Sequence, residues 1–136
     1  MHLEVTTSAD SPPDEILLTE GIYWFLRSAF DGFTEATGIE IDIEGCAEIE
    51  AECLLELFLS LEPLANDVRS SSAPYLEEIG LAEGRDQITL YQTPREDGLA
   101  MIERLMDRAN EAFNEGATLL IRGVGENQSG ESGPRE

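Results

Sequence analysis

The chain has 136 residues, the size of one domain, and its 29 acidic residues against 8 basic ones give a formal charge of −21 and a pI near 4.1. Every base is arginine, so a phosphate-binding surface is strongly disfavoured, and the Walker A and Schiff-base lysines are absent outright. Leu, Ile, Val and Phe make up roughly a quarter of the chain, enough for a core despite the charge. No apolar run approaches the roughly 18 residues of a membrane span and no signal peptide opens the chain, so a soluble cytoplasmic protein is expected.

In chain order, Leu3 and Val5 alternate with polar neighbours as in a short strand. Ser11-Pro12-Pro13-Asp14-Glu15 has the residues of a helix start, and an apolar stripe at helical spacing (Leu18, Ile22, Phe25, Leu26, Ala29, Phe33) predicts a helix over about 12–31. Gly21 inside it marks a close approach by a neighbouring element. After Gly38, Ile39, Ile41 and Ile43 alternate with Glu40, Asp42 and Glu44, which predicts a strand with one face in water. Cys46, Ile49, Cys53, Leu54, Leu57, Phe58 and Leu61 recur at helical spacing and predict a second helix over about 46–61. Pro63 and Ser70-Ser71-Ser72 punctuate a weaker helical stretch, and Pro74 is read as opening a short helix through Ile79.

Residues 87–93 alternate as a strand, and Thr93-Pro94-Arg95-Glu96 reads as a capping box. It opens a helix over 94–115, with Leu99, Ile102, Leu105, Met106, Ala109 and Phe113 inside and Gly116 as a left-handed cap. A last strand is expected over 117–122. The fold class is therefore α+β: a two-layer sandwich with a small mixed or antiparallel sheet and three to four helices on one face. Residues 1–122 form the single domain and 123–136 a flexible acidic Gly/Ser-rich tail.

Catalytic signatures are absent. The chain has no G-x-S-x-G, H-E-x-x-H or C-x-x-C, and Gly123-Val124-Gly125 lacks what a dinucleotide loop requires. The single histidine, His2, reads as a disordered surface residue. Cys46 and Cys53, two turns apart on the expected helix, are too distant to bridge and read as small buried hydrophobes. Tyr23-Trp24-Phe25 reads as core rather than pocket, and Arg104 and Arg108 are matched by Glu103, Asp107 and Glu111. No enzyme, metal or cofactor is implied.

The charge is polarised. From Ser28 to Val68 there are eleven acids and no arginine, so that stretch carries about half the net charge. Glu40, Asp42 and Glu44 would line one face of the expected strand, and Glu48, Glu52 and Glu56 one face of the expected helix, at spacings close to those of successive phosphates. If both elements share a surface, these six residues are the candidate binding site for a basic protein such as a nuclease, a nucleic-acid-binding protein or a toxin. In size and composition alone the chain is similar to acidic inhibitors: immunity proteins, DNA mimics and anti-defence proteins. No motif of theirs is matched. The alternative is a salt-adapted α+β domain serving as an oligomeric adaptor, a homodimer among the options, or as a ligand-binding protein.

Overall fold

The computed structural model describes residues 2–7, 16–42, 45–81 and 88–124. Strands β1 (His2–Thr7), β2 (Ile16–Thr19), β3 (Cys46–Ile49) and β6 (Leu119–Val124) form an antiparallel sheet in the order β2-β1-β6-β3. Strands β4 (Tyr75–Leu81) and β5 (Ile88–Pro94) pair as a separate antiparallel ribbon. The helices are α1 (Glu20–Phe25), α2 (Arg27–Thr37), α3 (Ala51–Ser70) and α4 (Arg95–Glu115). The α+β class expected from the sequence is the one observed.

The main sheet buries one face. Leu3 and Val5, Ile16 and Leu18, Ala47 and Ile49, and Leu119 and Ile121 point into the core. There they join Ile22, Phe30, Phe33, Leu54, Leu57, Leu61, Ile102 and Leu105 from the helices. On the other face the ladder sets Leu17, Glu4, Arg122 and Cys46 in one row and Thr6, Leu120 and Glu48 in the next. This alternation is why each strand reads with period two.

Several expectations need correction. The Ser11–Glu15 helix start lies outside the described residues, but Ile16–Thr19 is strand. Ile16 and Leu18 pair opposite Val5 and Leu3, so two-residue periodicity wins there over the helical stripe. The helix begins instead at Thr19, whose Oγ1 accepts from the Ile22 amide at 3.4 Å. A turn at Leu26 separates α1 from α2, and Gly38 ends α2 with φ +81°.

Residues 39–42 are not strand, although their burial alternates with Ile41 inside and Glu40 and Asp42 outside. The ladder position beside β6 is taken by Cys46–Ile49, because Ala47 and Ile49 are the residues that meet the core opposite Ile121 and Leu119. Helix α3 therefore starts at Ala51 rather than 46 and continues through Pro63 to Ser70, with Ala65 and Val68 extending its inner stripe. Pro63 is tolerated because it and Leu59, whose carbonyl loses its helical partner, sit on the solvent side.

Tyr75–Leu81 is strand, not helix: Leu76 and Gly80 are buried while Tyr75, Glu77 and Ile79 are exposed. Thr93 caps nothing, since Pro94 is the N-cap of α4 and makes no side-chain capping bond. The Arg95 amide donates instead to the Pro74 carbonyl at 2.9 Å. Gly116 closes α4 at φ +68°, as expected. Strand β6 runs to Val124, past the expected domain limit at 122, and residues 125–136 lie outside the described residues. Among the described residues no helix is long and apolar enough to cross a membrane.

Candidate functional site

The six expected site residues do not sit on one strand and one helix face. Glu40 and Asp42 are exposed on the segment leaving α2, and Glu44 lies outside the described residues. Glu48 belongs to β3, so the expected run of Glu48, Glu52 and Glu56 along one helix is broken, and only Glu52 and Glu56 share α3. Both are exposed on its solvent side, next to Leu55 and Leu59, which are each 49% exposed.

Three of the six are nevertheless brought together. An open depression of about 600 Å³ is lined by Glu40, Asp42 and Glu48 with Thr34, Gly38, Ile39, Gly45, Cys46 and Ala47. Its geometry arises from local chemistry. The left-handed Gly38 turns the chain off α2, and Thr34 Oγ1 donates to the Ile39 carbonyl at 2.8 Å. Ile41 anchors in the core, and the Gly45 amide, just before β3, donates to the Asp42 carbonyl at 3.0 Å. Among the described residues no base lines the depression.

Several arginines are engaged elsewhere. Arg27 pairs with Asp31, Arg69 with Glu103 through Nε and Nη2 at 3.1 and 3.0 Å, Arg108 with Glu111, and Arg122 with Glu4 across the sheet. Arg95 Nε donates to the Ala73 carbonyl. Among the described residues none of Glu40, Glu48, Glu52 and Glu56 is in an ion pair. Glu40 and Glu48 at the depression, and Glu52 and Glu56 on α3, therefore act on solvent and on anything that approaches through it.

Comparison with protein families, with curated proteins and with solved structures finds no match to this chain.

The structure also places the remaining candidates. Cys46 is exposed on β3 and Cys53 half-buried on α3, so the two thiols do not share the helix the sequence suggested. His2 is part of β1, with Nε2 3.8 Å from Glu4 Oε2, which corrects its reading as a disordered residue. Tyr23 is buried, and Trp24 and Phe25 pack against the core. Arg27 stands over the Trp24 and Tyr23 rings at 5.5 and 6.0 Å.

Sequence reasoning missed Glu20. This carboxylate is 9% exposed at the start of α1 and accepts from Tyr91 Oη at 2.8 Å and Trp24 Nε1 at 3.4 Å. The Glu20–Trp24 spacing of four was visible in the sequence; the Tyr91 partner, 71 residues away, was not. Beside it a cleft of about 320 Å³ is lined by Thr19, Gly21, Tyr91, Thr93, Asp97 and Met101, among others. Asp97, which is exposed, and the hydroxyl-bearing Thr19, Thr93 and Tyr91 are the polar groups named in that lining besides Gln92.

Proposed function

We propose that the chain acts by binding rather than by catalysis, capturing a basic protein through the acidic depression between the end of α2 and β3. The observation that carries this reading is the depression walled by Glu40, Asp42 and Glu48, with no base among its described lining residues, within a stretch from Ser28 to Val68 that contains no arginine. Among the described residues Glu40 and Glu48 have no ion-pair partner, so their field acts outward and speeds encounter with a positive surface within a Debye length of about 8 Å. Nuclease, nucleic-acid-binding protein and cationic toxin are the partner classes this chemistry fits.

The test is binding to, and inhibition of, a panel of basic nucleases at low and at molar salt. It compares the native chain with one carrying Glu40→Gln, Asp42→Asn, Glu48→Gln, Glu52→Gln and Glu56→Gln. Capture that weakens with salt and with the substitutions supports the reading; affinity indifferent to both removes it.

A second reading is favoured by the exposure of acids well outside this surface, including Glu62, Asp67, Glu96, Asp97, Asp107, Glu111 and Glu115. In it the acidity is salt adaptation of a domain that serves as an oligomeric adaptor or ligand-binding protein. Circular dichroism separates the two: a salt-adapted domain melts in dilute buffer, and an inhibitor stays folded.

A further inference from the structure

We propose that the outer edge of β3 is a strand-addition site for an extended, arginine- or lysine-rich segment of the partner. This rests on the binding function above and adds the mode of recognition.

The register fixes which backbone groups are free. The Gly123 amide donates to the Gly45 carbonyl at 2.8 Å, so Gly45 and Gly123 face each other as a hydrogen-bonded pair. In an antiparallel ladder such pairs alternate with non-bonded ones. Ala47 opposite Ile121 and Ile49 opposite Leu119 are then the bonded pairs to β6, while Cys46 and Glu48 direct their N–H and C=O groups away from it. β3 ends the sheet order, and among the described residues no strand pairs with that side.

The acidic depression lies along this same edge. It is lined both by Ala47, whose side chain is buried, and by Cys46 and Glu48, whose side chains are exposed on the opposite face of the strand. A depression that touches both faces of one strand runs beside its edge. The outward amides and carbonyls of Cys46 and Glu48 therefore open towards a depression that Glu40 and Asp42 also line.

A groove of this kind selects its occupant. Its free edge requires an extended backbone, and its carboxylates require positive side chains. A bound strand, with side chains directed to both of its faces, offers cations to Glu48 and Glu40, while its main chain bonds Cys46 and Glu48. A second copy of β3 is a poor occupant, because it brings another Glu48 carboxylate and no base to an edge already lined by carboxylates.

The experiment uses the full chain and a fluorescent heptapeptide of arginine, which presents cations on both faces when extended. Cys46→Pro removes an outward amide while leaving the charge and the β6 ladder intact, and Cys46→Ser is its control. Cys46→Pro is expected to weaken peptide binding about three- to tenfold relative to Cys46→Ser, the effect of one lost hydrogen bond. In the native chain the Cys46 and Glu48 amides are expected to become protected from hydrogen exchange when peptide binds. Should Cys46→Pro fail to fold, that exchange measurement decides alone.

Peptide binding that falls with Glu40→Gln and Glu48→Gln yet shows no amide protection and no effect of Cys46→Pro overturns strand addition and leaves charge capture standing. Absence of binding at low salt, by the peptide and by basic nucleases alike, overturns both.

Discussion

The Trp24 indole lies against the backbone of Gly80: a methyl group built on that glycine would stand 2.5 Å from both Cδ1 and Nε1. This contact, with Tyr91 and Thr93 against Gly21 and Leu76 against Gly98, seats the β4–β5 ribbon on α1 and α4. An isolated two-stranded ribbon is marginal in water, so its order depends on that seat. Gly80→Ala is expected to cost about 1–3 kcal/mol through overpacking. Because Trp24 is the only tryptophan, its emission reports the displacement directly; a thermal melt and spectrum matching the native chain refute the contact.

Tyr91→Phe tests the second tie between ribbon and helix. The phenol donates to the buried Glu20 carboxylate at 2.8 Å, and a hydrogen bond to a charged acceptor contributes about 1.5–3 kcal/mol. Chemical denaturation should show a loss of about that size. In a Glu20→Gln background the same substitution should cost less, and equal costs in both backgrounds mean the two side chains do not interact.

Gly116→Ala addresses chain reversal after α4. The left-handed φ of +68° disfavours a Cβ, although open space surrounds the position. A loss of about 1 kcal/mol is expected from backbone conformation alone. Asparagine, which tolerates this region better, should restore part of it.

Thiol labelling distinguishes the two cysteines. Cys46 is exposed on the sheet edge and Cys53 is half-buried on α3, so a native-state alkylation followed by mass spectrometry should modify Cys46 well before Cys53. Equal rates in the folded protein would contradict the placement of residue 46 on an exposed strand.

Neutralising the acidic surface should stabilise the isolated protein. The combined Gln and Asn substitutions at Glu40, Asp42, Glu48, Glu52 and Glu56 relieve self-repulsion, including the Glu52–Glu56 pair one turn apart, worth a few tenths of a kcal/mol. Melting temperature should rise in dilute buffer and the difference should shrink in molar salt, where screening shortens to about 3 Å. A drop in dilute buffer would show that these carboxylates hold internal contacts the fold needs.

Long amphipathic segments were legible from their residues. The inner stripe of α4 and its Gly116 cap, the strand signals of β1, β5 and β6, and the α+β class all come from periodicity, because burying one face of a regular element imposes its period on the sequence. Short segments were not. Ile16-Leu17-Leu18-Thr19 fits a helical stripe as well as a strand, and Cys46-Ala47-Glu48-Ile49 continues into the leucine repeat of α3 without a break. Four residues hold only two repeats of the strand period, so the neighbouring strand, not the sequence, decides between the alternatives.

The sequence by itself determined how much charge the protein carries, its sign, and the arginine-free stretch in which it concentrates, since composition needs no fold to be read. Tertiary structure alone decided which of those carboxylates meet. Glu40 and Asp42 line one depression with Glu48 because Ala47 and Ile49 face the core beside Ile121 and Leu119, which puts β3 at the sheet edge next to the segment leaving α2. Glu52 and Glu56 part from Glu48 because the chain changes from strand to helix at Glu50. Long-range packing sets both junctions, and no local pattern records them.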